Sequence, residues 1–155
     1  FALAAIVALF HDAFFIVAFF SLTRLEVDIT FIAALMTIVG YSINDTIVTF
    51  DRIRENLKKK KRVKTYEDLK EVVNKSLQQT FVRSLNTVAT VVFAVIALLI
   101  FGSESITNFS IALLVGLIVG TYSSLFIAAQ LWMNWKYKQI TKPKKAPVED
   151  PEPEV

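Results

Sequence analysis

The chain has 155 residues, 54% of them hydrophobic, with a net charge of +3, no cysteine and one histidine. Disulfides and thiolate metal sites are thereby excluded, one histidine cannot build a zinc site, and no metal or cofactor is expected. Apolar runs long enough to cross a bilayer, together with a mean hydropathy of +0.51, set aside the single soluble domain that this length would otherwise imply.

Four apolar segments follow one another, at about 1–22, 29–50, 84–101 and 109–133. Each is close to the roughly 20 residues that a membrane helix needs, and none contains proline. Phe1 already lies in an apolar run with no basic stretch before it, so the first segment is not a signal peptide and the chain reads as part of a longer protein. The first segment carries His11 and Asp12 near its middle, and Ala4, Ala8 and Asp12 share a helical stripe, so Asp12 faces close neighbours. A second intramembrane carboxylate of this kind belongs either to a proton relay or to a structural hydrogen-bonded pair.

The second segment is interrupted by Asp45. A carboxylate at mid-helix depth costs about 2.5–3.5 kcal/mol, less nearer the interface, and the default reading of such a group is a functional site facing protein or water. Helical spacing puts Ser42, Asp45 and Thr49 on one stripe with Tyr41 beside it, and Asn44 about 100° away. The plainer alternative is a polar seam that holds helices together.

Between the second and third segments, residues 51–80 are expected to form a loop rich in lysine and arginine, including Lys58 to Arg62. Such loops stay on the cytoplasmic side, which leaves the two short turns outside and gives an in-out-in-out-in path. The basic run is read as an anchor beside anionic lipid, not as a nucleic-acid site. Within this loop, Thr65 to Asp68 resembles a capping box, and Leu69, Val72, Val73 and Leu77 recur at helical spacing. An amphipathic helix lying at the inner interface is expected there.

In the third segment, Thr80, Arg83, Thr87 and Thr90 share a stripe, with Arg83 at a depth similar to Asp45. Arg83 is either a snorkelling anchor or the ionic partner of Asp45. The fourth segment places Ala112, Gly116, Gly120, Ser124 and Ala128 four residues apart, a small-residue stripe that lets helix backbones approach closely. Residues 136–155 hold all four prolines and are expected to be a disordered cytoplasmic tail, leaving residues 1–135 as the membrane domain. The fold class expected is an all-α membrane bundle of four transmembrane helices with a cytoplasmic amphipathic helix.

Gly40 to Thr46, followed by Phe50 to Asn56, resembles the signature of the SecF family, including the SecF half of fused SecDF proteins. His11-Asp12, Thr80 to Ser84 and Gly116 to Ser124 resemble the neighbouring membrane helices of the same family. The resemblance implies the resistance-nodulation-division superfamily, and that these four helices are part of a six-helix transporter half. It also implies a multi-pass protein of the bacterial cytoplasmic membrane that assists protein export with the proton motive force, alongside SecD, the SecYEG channel and SecA. It puts the proton-coupling aspartate on Asp45 and a functional arginine on Arg83. His11, Asp12, Ser42, Asn44 and Thr87 are then supporting candidates, and Gly116, Gly120 and Ser124 serve packing. No catalytic residue and no enzymatic activity are expected.

Three other readings compete: an exporter of lipid or drugs from the same superfamily, a passive translocase scaffold, and an intramembrane aspartyl protease using Asp12 and Asp45. The Gly-x-Gly-Asp pattern such proteases are known for is absent, since Asp45 sits in Gly-Tyr-Ser-Ile-Asn-Asp.

Overall fold

The computed structural model describes residues 1–60 and 65–141. Lys61 and Arg62 of the basic run, and the tail from residue 142, lie outside the described residues. The described residues form helices and short turns, with no strand. Helix α1 spans Ala2–Thr23, α2 Ile29–Lys59, α3 Tyr66–Phe101, α4 Thr107–Tyr122 and α5 Ala129–Thr141. A π-helical turn, Ser123–Ala128, joins α4 to α5, so the two form the last of four long apolar spans.

Local chemistry sets the turns. Arg24 ends α1 in the left-handed conformation, φ 54°, and its N–H bonds back to the Phe20 carbonyl. Asp28 then caps α2: its Oδ1 accepts from the Phe31 N–H at 2.9 Å and the Thr30 hydroxyl at 2.7 Å, satisfying donors that a helix start leaves free. Those two bonds, the Thr30 hydroxyl first, hold the exposed Asp28 carboxyl below its ordinary pKa. Gly102 closes α3 because a Cβ there would run into the Leu98 carbonyl and the Ile106 side chain.

Helices α2 and α3 run well beyond the apolar segments. At about 1.5 Å per residue, a helix of 36 residues such as α3 exceeds the roughly 30 Å of a hydrocarbon core by several turns. The stretch expected as a loop is therefore mostly a helical hairpin made by the end of α2 and the start of α3. Asp68 accepts from the Thr65 N–H at 3.2 Å and from its hydroxyl at 2.5 Å, as the capping motif requires. The amphipathic stretch is present, but it is the first part of α3 and not a separate helix along the interface. Leu69, Val72 and Val73 are buried, and Leu69, Val73 and the partly buried Leu77 join a core with Phe50, Ile53, Trp132 and Met133. Its apolar face is covered by protein, so it does not need lipid. Asn56 clamps the hairpin by donating to Ser76 Oγ at 2.8 Å and Gln79 Oε1 at 2.9 Å. Lys60 bonds Glu71 at 2.7 Å and Asp68 at 2.9 Å, which raises its pKa above the usual lysine value. The last span also continues further than expected, as helix to Thr141.

Helix α4 packs on all three other spans and most extensively on α2. Two apolar clusters sit at opposite ends of the bundle. One, at the hairpin end, includes Ala4, Ala8, Phe50, Ala128 and Trp132. The other, toward the short turns, includes Ile16, Phe20, Phe31, Ile38, Val95 and Leu113. Between them lies a buried polar layer.

Candidate functional site in the buried polar layer

The layer is built from one residue per turn on facing helices. On α1, the stripe Ala4, Ala8, Asp12, Ile16 and Phe20 is buried, as the sequence pattern predicts for its first three members. Asp12 is 1% exposed. Its Oδ2 accepts from the Ser42 hydroxyl at 2.6 Å, and its Oδ1 lies 3.2 Å from His11 Nδ1. On α2, the buried stripe is Ser42, Thr46, Thr49 and Ile53. Thr46 Oγ1 is 2.8 Å from Ser124 Oγ, whose hydroxyl also lies 3.4 Å from the Ser42 carbonyl.

The small-residue stripe of the last span faces this layer. A Cβ on Gly116 would collide with the Ile38 side chain, and one on Gly120 would stand 3.5 Å from Ser42 Cβ and 3.7 Å from Asp12 Oδ2. Gly116 thus sets how closely α4 approaches α2, while Gly120 lies at ordinary contact distance from α2 and α1. The π turn begins three residues after Gly120 and brings two consecutive serines inside. Ser123 Oγ reaches the Ala8 carbonyl at 3.4 Å, while Ser124 meets α2. Helical periodicity carries no signal of this wider turn.

Asp45 sits at the edge of the layer, partly buried. Its Oδ1 accepts from the Ser84 hydroxyl of α3 at 2.5 Å, and its buried Oδ2 has no hydrogen-bond partner among the described residues. A cavity of about 90 Å³ opens beside it between α2, α3 and α4. Ser42, Asn44, Asp45, Arg83, Thr87 and Gly120 are among its lining residues. Arg83 and Thr87 are exposed on α3 and share this cavity with Asp45, but no direct ion pair joins Arg83 to the carboxylate. The Thr87 hydroxyl bonds to the Arg83 carbonyl at 2.9 Å. Asn44 is exposed at the cavity rim. A second, wider cleft of about 300 Å³ leads from Val48 and Arg83 to Asp51, Arg52, Glu55 and Gln79 on the hairpin.

Two partners escaped the sequence reading. The stripe of α3 that faces α2 is Ser76, Thr80 and Ser84, all buried, whereas Arg83, Thr87 and Thr90 point outward. The spacing of four between those hydroxyl residues was the available signal, overshadowed by the stripe through Arg83. Likewise Thr46, not Asp45, continues the buried stripe from Ser42, because an exact four-residue step stays on one face better than a three-residue one.

The chain is similar to known proteins over almost all of its length. A family model described as "Protein export membrane protein SecD/SecF, C-terminal" matches residues 1–138. The protein translocase subunit SecDF of Bacillus subtilis is 69% identical over 141 residues, covering 91% of this chain and 19% of the relative. The protein translocase subunit SecF of Alicyclobacillus acidocaldarius is 54% identical over 154 residues, covering 99% of this chain and 50% of the relative. The chain thus spans a fifth to a half of the curated relatives it matches. A crystal structure of SecDF in a super-membrane-facing form superposes with a TM-score of 0.82 at 42% identity, covering 88% of this chain and 18% of that one. A Thermus SecDF described as a translocon-associated membrane protein superposes with a TM-score of 0.80 at 44% identity over the same shares. With a model match spanning nearly the whole chain, and the same four-span bundle in both solved relatives, this multi-pass membrane chain belongs to the SecD/SecF family of protein-export membrane proteins.

Proposed function

We propose that this chain is part of an accessory subunit of the Sec protein-export translocase, in which Asp45 binds and releases the proton that couples export to the proton motive force. One observation carries this reading: Asp45 has one oxygen held by Ser84 and the other buried without a partner, beside a cavity that also contains Arg83. A carboxylate so placed changes charge in low dielectric when it takes a proton, and that change biases one packing of the bundle over another. A proton crossing the full field is worth about 2.3 kcal/mol per 100 mV. Arg83 lines the same cavity, and its planar fork suits an ionised carboxylate. On this reading the chain transports and does not catalyse covalent chemistry. Its partners are SecD, separate or fused, the SecYEG channel and SecA.

The proposed orientation puts the hairpin and the end of α5 at the cytoplasmic face, beside anionic lipid, because Lys58, Lys59, Lys136 and Lys138 cluster there. Single cysteines at Lys60 and Ser105 test it in intact cells with an impermeant thiol reagent. Labelling is expected at Ser105; preferential labelling at Lys60 overturns the orientation.

The coupling role is tested with the full-length protein in vesicles carrying an imposed proton gradient. Asp45→Asn is expected to assemble normally and to lose gradient-stimulated export, and Arg83→Lys to be impaired. Normal gradient-stimulated export by an assembled Asp45→Asn protein would reduce the site to a passive scaffold and defeat the proposal.

A further inference from the structure

We propose that Asp12 is a second proton-binding carboxyl of this bundle, loaded from the Asp45 cavity through the Ser42 hydroxyl. This rests on the coupling role proposed for Asp45 and adds a station to it.

Three observations converge. First, Asp12 is almost wholly buried, yet among the described residues its two oxygens are served only by Ser42 and His11. Among the described residues no lysine or arginine pairs with it, and its ion-pair candidate, His11, is a cation only when protonated, whereas a buried permanent carboxylate ordinarily needs a fixed cation. A carboxyl that takes up a proton does not. Second, Ser42 belongs to both places at once. Its hydroxyl donates to Asp12 at 2.6 Å, and the residue lines the cavity that holds Asp45. Asp45 follows Ser42 by three residues on α2, so the two are neighbours on the helix surface. The cavity, at about 90 Å³, is roomy enough for water, which needs about 10–15 Å³. Third, Gly120 adjoins both Asp12 and Ser42. It lines the same cavity, and a Cβ there would stand 3.7 Å from both Asp12 Oδ2 and Ser42 Oγ. That distance is ordinary contact, so packing alone does not demand glycine at this position, in contrast to Gly116.

The transfer balances without any further reagent. A protonated water in the cavity gives a proton to Ser42 Oγ while the existing Ser42 O–H bond breaks and its proton joins Asp12 Oδ2. The carboxylate becomes a neutral acid, the water is left neutral, and Ser42 ends with one proton as it began. The reverse sequence empties the site. The groups facing Asp12 are few. His11 on α1 touches it, Asp45 lies one turn along α2, and Arg83 of α3 lines the cavity beyond. Among the described residues of α4 and the π turn, Gly120 lies beside it, Ser123 bonds the Ala8 carbonyl one turn away, Ser124 bonds the carbonyl of Ser42, and neither element carries a charged side chain.

The experiment is infrared difference spectroscopy of the full-length protein in lipid nanodiscs after a pH jump, which reads the carboxyl band of each protonated aspartate. Two bands are expected to rise with acidification, one removed by Asp45→Asn and the other by Asp12→Asn. Ser42→Ala leaves Asp12 in place, shifts its band because the hydrogen bond is lost, and is expected to slow its protonation about tenfold or more. Ser42→Thr, which restores a hydroxyl, is expected to restore the rate. Because the Ser42 variants identify the band without touching Asp12, the test survives if Asp12→Asn fails to fold. An Asp12 band that ignores pH, or that rises at an unchanged rate in Ser42→Ala, overturns the inference. If the Asp45 band titrates normally in that case, the coupling role of Asp45 stands and only the second station falls. If the Asp45 band is also inert, the proposed function falls with it.

Discussion

The third and fourth spans are about equally apolar, yet they are used in opposite ways. Half of the apolar window of the last span is buried inside the bundle, against 11% of that of α3. Hydrophobicity does not separate them, since lipid is as good a solvent for a leucine as another helix is. What differs is the spacing of small residues. Ala112, Gly116, Gly120, Ser124 and Ala128 give α4 and its π turn a flat face on which α2 and α1 can close, and every one of them is buried. On α3, the small hydroxyl residues Ser76, Thr80 and Ser84 supply such a face only at the hairpin end. Beyond Ser84, Leu85, Phe93, Ile100 and Phe101 stand exposed along the span. The exposed face of α3 also carries Arg83, a charge costly in hydrocarbon, and Thr87 and Thr90, whose hydroxyls bond carbonyls of their own helix.

Breaking the packed face is expected to have the largest effect. Gly116→Leu places a side chain where Ile38 already lies, and the full-length protein should lose folded yield in detergent. Gly116→Ala should cost about 1–3 kcal/mol through overpacking, and Ile38→Ala in the same chain should recover part of that loss. Additive losses in that double variant would show that the Gly116–Ile38 approach does not govern assembly.

The contrast between the two spans sharpens with a pair of truncations. Leu113 on α4 is 6% exposed and Phe93 on α3 is 78% exposed. Leu113→Ala is expected to lower stability by about 2 kcal/mol or more, and Phe93→Ala by about 0.5 kcal/mol or less, measured by thermal denaturation of the purified protein. A larger loss for Phe93→Ala would mean that another part of the full-length protein, or a partner, covers that face of α3.

The smallest effect is expected at the cap of α2, the helix on which both spans pack. The Thr30 and Phe31 bonds hold the Asp28 carboxyl below its ordinary pKa. Its stabilisation is therefore fully present above about pH 4 and fades as pH falls through the lower folded-state value. Asp28→Asn should show a weaker acid-induced loss of melting temperature than the parent, with little change at neutral pH. An identical acid response in both proteins would remove Asp28 from the account.

Much of the site was legible because it broke a pattern. Asp45 interrupts an apolar run, Asp12 ends an alanine stripe, and Gly116, Gly120 and Ser124 repeat at four, so each announces itself in one dimension. Ser84 and Thr46 were not visible in that way: hydroxyls are common in membrane helices, and only the rotation of a helix shows which of them meets a partner. Whether Arg83 anchors at the interface or partners Asp45 stayed open in the sequence for the same reason. Similar depth put the two in one cavity, but rotation of α3 turned Ser84 inward and Arg83 outward.

The amino-acid sequence by itself determined the four spans, their short turns, the capping motif at Thr65 and the small-residue face of the last helix, since each depends on local composition or on helical period. Only the tertiary structure decided that α2 and α3 continue as a hairpin, that Ser42 links Asp12 to the Asp45 cavity, and that a π turn points two adjacent serines inward. Hydropathy marks which residues leave water, but inside a bilayer every face of a helix has done so. Rotation and register are then set by close contacts between helices, such as Gly116 against Ile38, and those contacts exist only once the helices have met.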